Sequence, residues 1–155
     1  MSAPATEIPR IFHYFTRLVL TGLFLAISML QLLSFPGQFR YEASQGGASQ
    51  ASRWFLTIMV GIWFLFAQIA IVALWRILAM IYQHTLKSPQ GIKWVNLLVN
   101  TLGAAAIYGG GILILALVET DDPGPVVVVG SLTAFIFSTY VISFFIRFQI
   151  FHERL

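Results

Sequence analysis

Apolar residues run along this chain in four long blocks, and polar residues collect between them. The blocks fall at 16–35, 54–75, 95–118 and 126–146. Each reaches the ~20 mainly apolar residues that carry a helix across the hydrocarbon core of a bilayer. Between them stand a Gly/Ser/Gln-rich stretch at 36–53, a basic stretch at 76–94 and a short acidic stretch at 119–125. This alternation predicts an all-α integral membrane four-helix bundle, up-down-up-down, with 1–155 forming a single transmembrane domain.

The polar stretches carry their own turn signals. Phe35, Pro36 and Gly37 stop the first block, and Pro89 and Gly91 mark the middle reversal. Glu119, Thr120, Asp121, Asp122, Pro123, Gly124 and Pro125 form an acidic hinge. Proline cannot continue a helix, and glycine accepts the backbone angles of a reversal. Pro125 suits the first position of the last helix, and Asp122 suits its cap. Residues 1–15, with Pro4, Pro9, Arg10 and His13, read as an amphipathic lead-in at the membrane surface. The first block resembles a signal peptide in having Arg10 and Arg17 at its start. Its apolar run is longer than a typical signal core and no small-x-small site follows, so it reads as a retained anchor. The second block stays apolar as far as Tyr82, beyond what a bilayer needs. Tilt, or projection into the cytoplasm with Arg76 snorkelling, accounts for the excess.

Composition agrees with the pattern. Of the 155 residues 58% are hydrophobic and 10% charged, against about 25% charged in soluble domains. Lipid is therefore the natural solvent, and little chain remains outside the spans for a catalytic domain. The absence of cysteine excludes disulfides, thiolate metal sites and thiol catalysis.

Charge then orients the spans. Arg10, Arg17, Arg76, Lys87, Lys93, Arg147 and Arg154 fall on one side, and only Arg40 and Arg53 on the other. The positive-inside rule puts both termini and the 76–94 loop in the cytoplasm, with 36–53 and 119–125 outside. The expected location is the cytoplasmic (inner) membrane. Arg76, Lys87, Lys93 and Arg147 are its cytoplasmic basic anchors, placed to favour anionic headgroups. Trp54, Trp75, Tyr82 and Trp94 fit the aromatic belts.

Candidate chemistry is sparse. In the third span, at about 100° per residue, Asn96, Asn100, Gly103, Ile107, Gly110 and Ile114 share one face. Leu98, Leu102, Ile112 and Leu113 lie on the other. Small residues let helices approach closely in lipid and amides bond across them. The Asn/Gly face is therefore expected to point inward, as a packing seam or a pathway. Gln68 joins Asn100 and Ser138 as the deepest polar groups. Gly109, Gly110 and Gly111 read as packing devices rather than a bend.

Several chemistries lack their residues. No ionisable group sits mid-span, which argues against ion-coupled transport. His13, His84 and His152 are expected as interfacial or solvated side chains at the cytoplasmic end, without the pairing of a metal or bis-His haem site. Glu119, Asp121 and Asp122 lack the ligand pattern of a calcium loop and read as a solvated turn. No Ser/His, Asp/Asp or His-Glu-x-x-His constellation occurs. The basic sequence pI of about 9.6 follows from topology and does not imply nucleic-acid binding. The sequence thus predicts no catalytic residue, no metal and no cofactor.

A family resemblance rests on specific stretches. Gln68-Ile-Ala-Ile-Val-Ala-Leu-Trp75-Arg76-Ile-Leu, the short basic loop, and Lys93-Trp94-Val95-Asn96 resemble the domain of unknown function 2975 family of bacterial membrane proteins, its actinobacterial members in particular. The Asp121-Asp122-Pro123-Gly124 hinge, followed by an apolar helix ending near Arg147, is similar to that family's last third. The likeness covers about residues 54–150, and the order of spans with the acidic Pro-Gly turn carries it. The 38–53 loop departs, being poor in the proline expected near the second span. The resemblance implies a four-helix inner-membrane protein with no assigned reaction. Members often stand beside small helix-turn-helix regulators, which implies a signalling or stress role.

These readings converge on a non-enzymatic protein working as an accessory, structural or regulatory subunit. Its expected partners are the lipid bilayer and either a membrane protein, such as a respiratory complex, or further copies of itself. An oligomeric passive channel or small transporter is the alternative from another class. A third reading is a membrane sensor that signals to a cytoplasmic regulator through the 76–94 loop.

Overall fold

The structure, a computed structural model, describes residues 10–34, 50–119 and 123–152. Helix α1 spans Arg10–Met29 and runs on as a π-helical stretch, Leu30–Ser34. Helix α2 spans Gln50–Tyr82, α3 Pro89–Glu119 and α4 Pro123–His152. Each contains a segment long and apolar enough to cross a membrane: Ile11–Leu32, Ile58–Tyr82, Pro89–Val118 and Val126–Ile150. The 33 residues of α2 make a rod of about 50 Å at 1.5 Å per residue. That exceeds the ~30 Å hydrocarbon core, so the apolar run to Tyr82 is one unbroken helix.

Local chemistry explains the helix ends. At the end of α2, Thr85 N–H donates to the Met80 carbonyl at 2.9 Å and His84 N–H to the Ile81 carbonyl at 3.1 Å. His84 has φ 55°. This is the Schellman stop, with a left-handed residue just past the helix. Five residues after His84, Pro89 opens α3, where its missing N–H has no intrahelical acceptor to lose. Ser88 caps that start, its Oγ accepting the Gly91 N–H at 3.1 Å. A Cβ on Gly91 would collide with the Leu86 carbonyl, so this turn needs glycine. The connection is therefore only 83–88, inside the expected 76–94 loop, because both flanking helices extend into it.

The last helix begins at Pro123, not after Pro125 as the sequence suggested. The first turn of a helix has no internal acceptor for its N–H groups, so a second proline there breaks nothing. Asp121 and Asp122 lie outside the described residues.

The helices pack in sequence order, each on the next. Contacts show that neighbours are antiparallel. His13 meets Tyr82, Arg17 meets Trp75, and Ser28 meets Gln68. Trp63 meets Ala105. Across α3 and α4, Gly103 faces Tyr140, Gly109 faces Thr133, and Gly130 faces Leu113. Among the described residues α1 makes no substantial contact with α4. The expected bundle is thus an open row with α3 inside it. In its most apolar stretch α3 has 28% of its residues buried, whereas the corresponding stretches of α1 and α4 have none, which sets the edges of the row. One apolar cluster joins Ala70, Ala73, Leu98 and Leu102, with Ile136 and Tyr140 of α4 against it. A second joins Trp63, Ala105 and Ile112, with Val129 and Ile136 against it.

Candidate functional site

The centre of the row is built on Trp63. Its indole N–H donates to the Ala105 carbonyl at 3.0 Å in a buried site. Indole nitrogen is donor only, so this bond satisfies the one polar atom of the ring. The ring lies over Gly109, where an added Cβ would stand 2.8 Å from Trp63 Cζ2 and 2.8 Å from Thr133 Oγ1. Three helices meet at that glycine. Neighbouring Gly110 and Gly111 would each present a Cβ to open space.

This corrects the expected inward face of α3. Leu98, Leu102 and Ile112, placed outward from the sequence, are buried. Asn100 is exposed, Ile107 is 81% exposed and Ile114 is 64% exposed. Asn96 is half-buried, and its Oδ1 is enclosed without a hydrogen-bond partner. Gly103 does pack, with an added Cβ 3.0 Å from the Tyr140 ring. The physical reason is that lipid gives no reward for burying leucine rather than an amide, so steric fit sets the helix rotation. Gly109, one of the three glycines read from the sequence as packing devices, and Trp63, which the sequence did not single out, provide that fit.

The outward face is not featureless. Between α3 and α4 lies a groove of about 590 Å³, lined by Gly103, Ala106, Gly130, Thr133, Ala134 and Tyr140 among others. Thr133 Oγ1 is buried and has no hydrogen-bond partner. Ser131, Ser138 and Thr139 instead return their hydroxyl protons to the carbonyls of Val127, Ala134 and Phe135. Ile107 borders the groove, and Asn100 lies two helical turns before it on the same face.

Gln68 works elsewhere. Its Nε2 donates to Ser28 Oγ at 2.9 Å, and Ser28 donates to the Phe24 carbonyl at 2.8 Å. Gln31 Nε2 donates to the Gly61 carbonyl at 3.3 Å. These two amides clip α1 to α2.

At one end of the row sit the start of α1, the ends of α2 and α4, and the start of α3. His84 and His152 are exposed there, as expected. His13 is not solvated: it is 8% exposed and stacks on Tyr82 at 4.6 Å between centroids. The extension of α2 to Tyr82 supplies the covering ring. Arg17 stands 5.9 Å over the Trp75 ring, and Arg76 stands 5.6 Å over Trp94. Lys87 and Lys93 are exposed and Arg147 is half-buried. A cavity of about 240 Å³ opens between α1 and α2, lined by His13, Tyr14, Arg17, Ala79, Tyr82 and Gln83. Among the described residues no group of three His, Cys, Asp or Glu side chains could hold a metal ion. Of the acidic hinge, Pro123 and Gly124 open α4, Glu119 ends α3, and Asp121 and Asp122 lie outside the described residues.

A family model described as a protein of unknown function (DUF2975) matches residues 37–150. The match takes in the whole of the 38–53 loop, which looked divergent from the sequence. No curated protein and no solved structure matches the chain.

Proposed function

The chain belongs to the DUF2975 family, and on that premise we propose that it is a non-enzymatic accessory or regulatory subunit acting through helix–helix contacts in the cytoplasmic membrane. In this reading both termini and the α2–α3 connection face the cytoplasm. The distribution of Arg10, Arg17, Arg76, Lys87, Lys93 and Arg147 supports that orientation.

The observation that carries the proposal is the exposed amide of Asn100 on the face of α3 that borders the groove. An amide turned towards acyl chains lacks a hydrogen-bond partner, and small residues beside it let another helix come close. The fitting occupant is a transmembrane helix of a membrane partner that offers a polar or small side chain at that depth. The chain's own core is filled by Trp63, Val99, Ala105 and Ile112, which leaves recognition to this outer face.

The test is mild-detergent purification from the native membrane, with mass spectrometry of co-migrating proteins, for the wild type and Asn100→Leu. A stoichiometric partner is expected with the wild type and is expected to be lost with Asn100→Leu. Thermal stability of the isolated chain should stay within about 0.5 kcal/mol, as for other surface substitutions. Isolation of the wild type without a partner refutes the proposal.

A further inference from the structure

We infer that the cavity between α1 and α2 is a binding site for a phosphate-bearing anionic group, taken as a lipid headgroup or as free phosphate. Arg17 lies seven residues into α1, about 10 Å along the axis from Arg10. Its guanidinium carbon stands over the Trp75 ring, 5.9 Å from the centroid. Its Nε is buried and has no hydrogen-bond partner. Among the described residues no carboxylate pairs with it. A guanidinium enclosed at the edge of a span, with no counter-ion among the described residues, is costly unless an anion joins it.

The rest of the lining suits that anion. Tyr14 and Tyr82 bring phenolic hydroxyls, Gln83 an amide and His13 an imidazole, and among the described residues no acidic side chain lines the space. His13 is held by its stack on Tyr82, so its ring is already ordered. The volume, about 240 Å³, lies below the ~300–1,000 Å³ of sites that enclose a whole drug-sized ligand. It suits a headgroup whose acyl chains stay outside. The planar fork of arginine matches phosphate oxygens two at a time, which lysine does not. The neighbouring Arg76 has a different setting, stacked on Trp94 and exposed, and serves as the internal control.

The full chain, purified in mild detergent, would be titrated with dioleoyl phosphatidylglycerol, dioleoyl phosphatidylcholine and inorganic phosphate, each read by its thermal melt. Phosphatidylglycerol should raise the midpoint saturably, and phosphatidylcholine with the same tails should not. Arg17→Met should weaken phosphatidylglycerol about tenfold, the loss of one charge-assisted contact, whereas Arg76→Met should change it less than about twofold. Gln83→Glu lies in the exposed connection, leaves the helices intact, and should weaken binding by adding a negative charge to the lining. An Arg17-dependent shift with inorganic phosphate alone identifies a soluble anion as the ligand; a shift with lipid alone identifies a headgroup. Equal response to both lipids, or wild-type binding by both Arg17→Met and Gln83→Glu, overturns the inference.

Discussion

Two adjacent glycines in α3 should respond in opposite directions to the same methyl group. In Gly109→Ala the new Cβ stands 2.8 Å from Trp63 Cζ2 and 2.8 Å from Thr133 Oγ1. Carbon atoms prefer about 3.5–4.0 Å, so the Trp63 ring must retreat by roughly 0.7 Å or more. That ring is pinned by its 3.0 Å bond to the Ala105 carbonyl, and stretching such a bond forfeits about 1 kcal/mol. Overpacking of this kind destabilises by about 1–3 kcal/mol. The helix-propensity gain from Gly to Ala returns at most about 1 kcal/mol. Gly109→Ala should therefore lose up to about 2 kcal/mol net. In Gly110→Ala the Cβ meets nothing within 4 Å, so only the propensity gain remains, up to about 1 kcal/mol. Equilibrium unfolding of the purified chain in mixed micelles measures both. If Gly109→Ala is as stable as Gly110→Ala, the Trp63 contact does not set the approach of α2 to α3.

Two further substitutions probe the seams and the turn. Gln68→Leu and Ser28→Ala should be non-additive in a double-mutant cycle, with a coupling of about 0.6 and at most ~1.7 kcal/mol, because the 2.9 Å bond joins them directly; additive losses would show that the amide does not clip α1. Gly91→Ala should destabilise the chain through its clash with the Leu86 backbone, by about 1–3 kcal/mol, read as a lower melting temperature, while Gly61→Ala, whose added Cβ meets nothing within 4 Å, should not.

The existence, order and type of the four helices were legible because each is a long apolar run bounded by Pro, Gly or charge. Their antiparallel pairing follows from the short 83–88 connection and the Pro123 start. The inner face of α3 was not legible. In water, amphipathic period tells inside from outside; in lipid both faces are apolar, and Leu98 can face the core while Ile107 faces the acyl chains. What decides is the shape of a distant residue: Trp63 meets Gly109 from another helix, and no local spacing encodes that. The burial of His13 was not legible for the same reason, since Tyr82, which covers it, arrives from the next helix. The basic end was legible as charge, but Arg17 differs from Arg76 only through the packing around it. The second proline of the hinge misled the start of α4 because the first turn accommodates either.

The sequential, antiparallel row has a consequence for how the chain is made. Among the described residues every substantial interface joins helices that are neighbours in the sequence, so tertiary contacts are as local as four long helices allow. Low contact order favours rapid assembly, and synthesis delivers the N-terminal part first. On the membrane reading proposed above, each newly inserted helix finds its docking face already in place: α2 on α1, α3 on α2, α4 on α3. The Trp63–Gly109 junction can close as soon as α3 has left the ribosome and needs only Thr133 of α4 to complete it. Biogenesis of this protein then becomes a matter of adding hairpins in order, with no early helix held open for a late one.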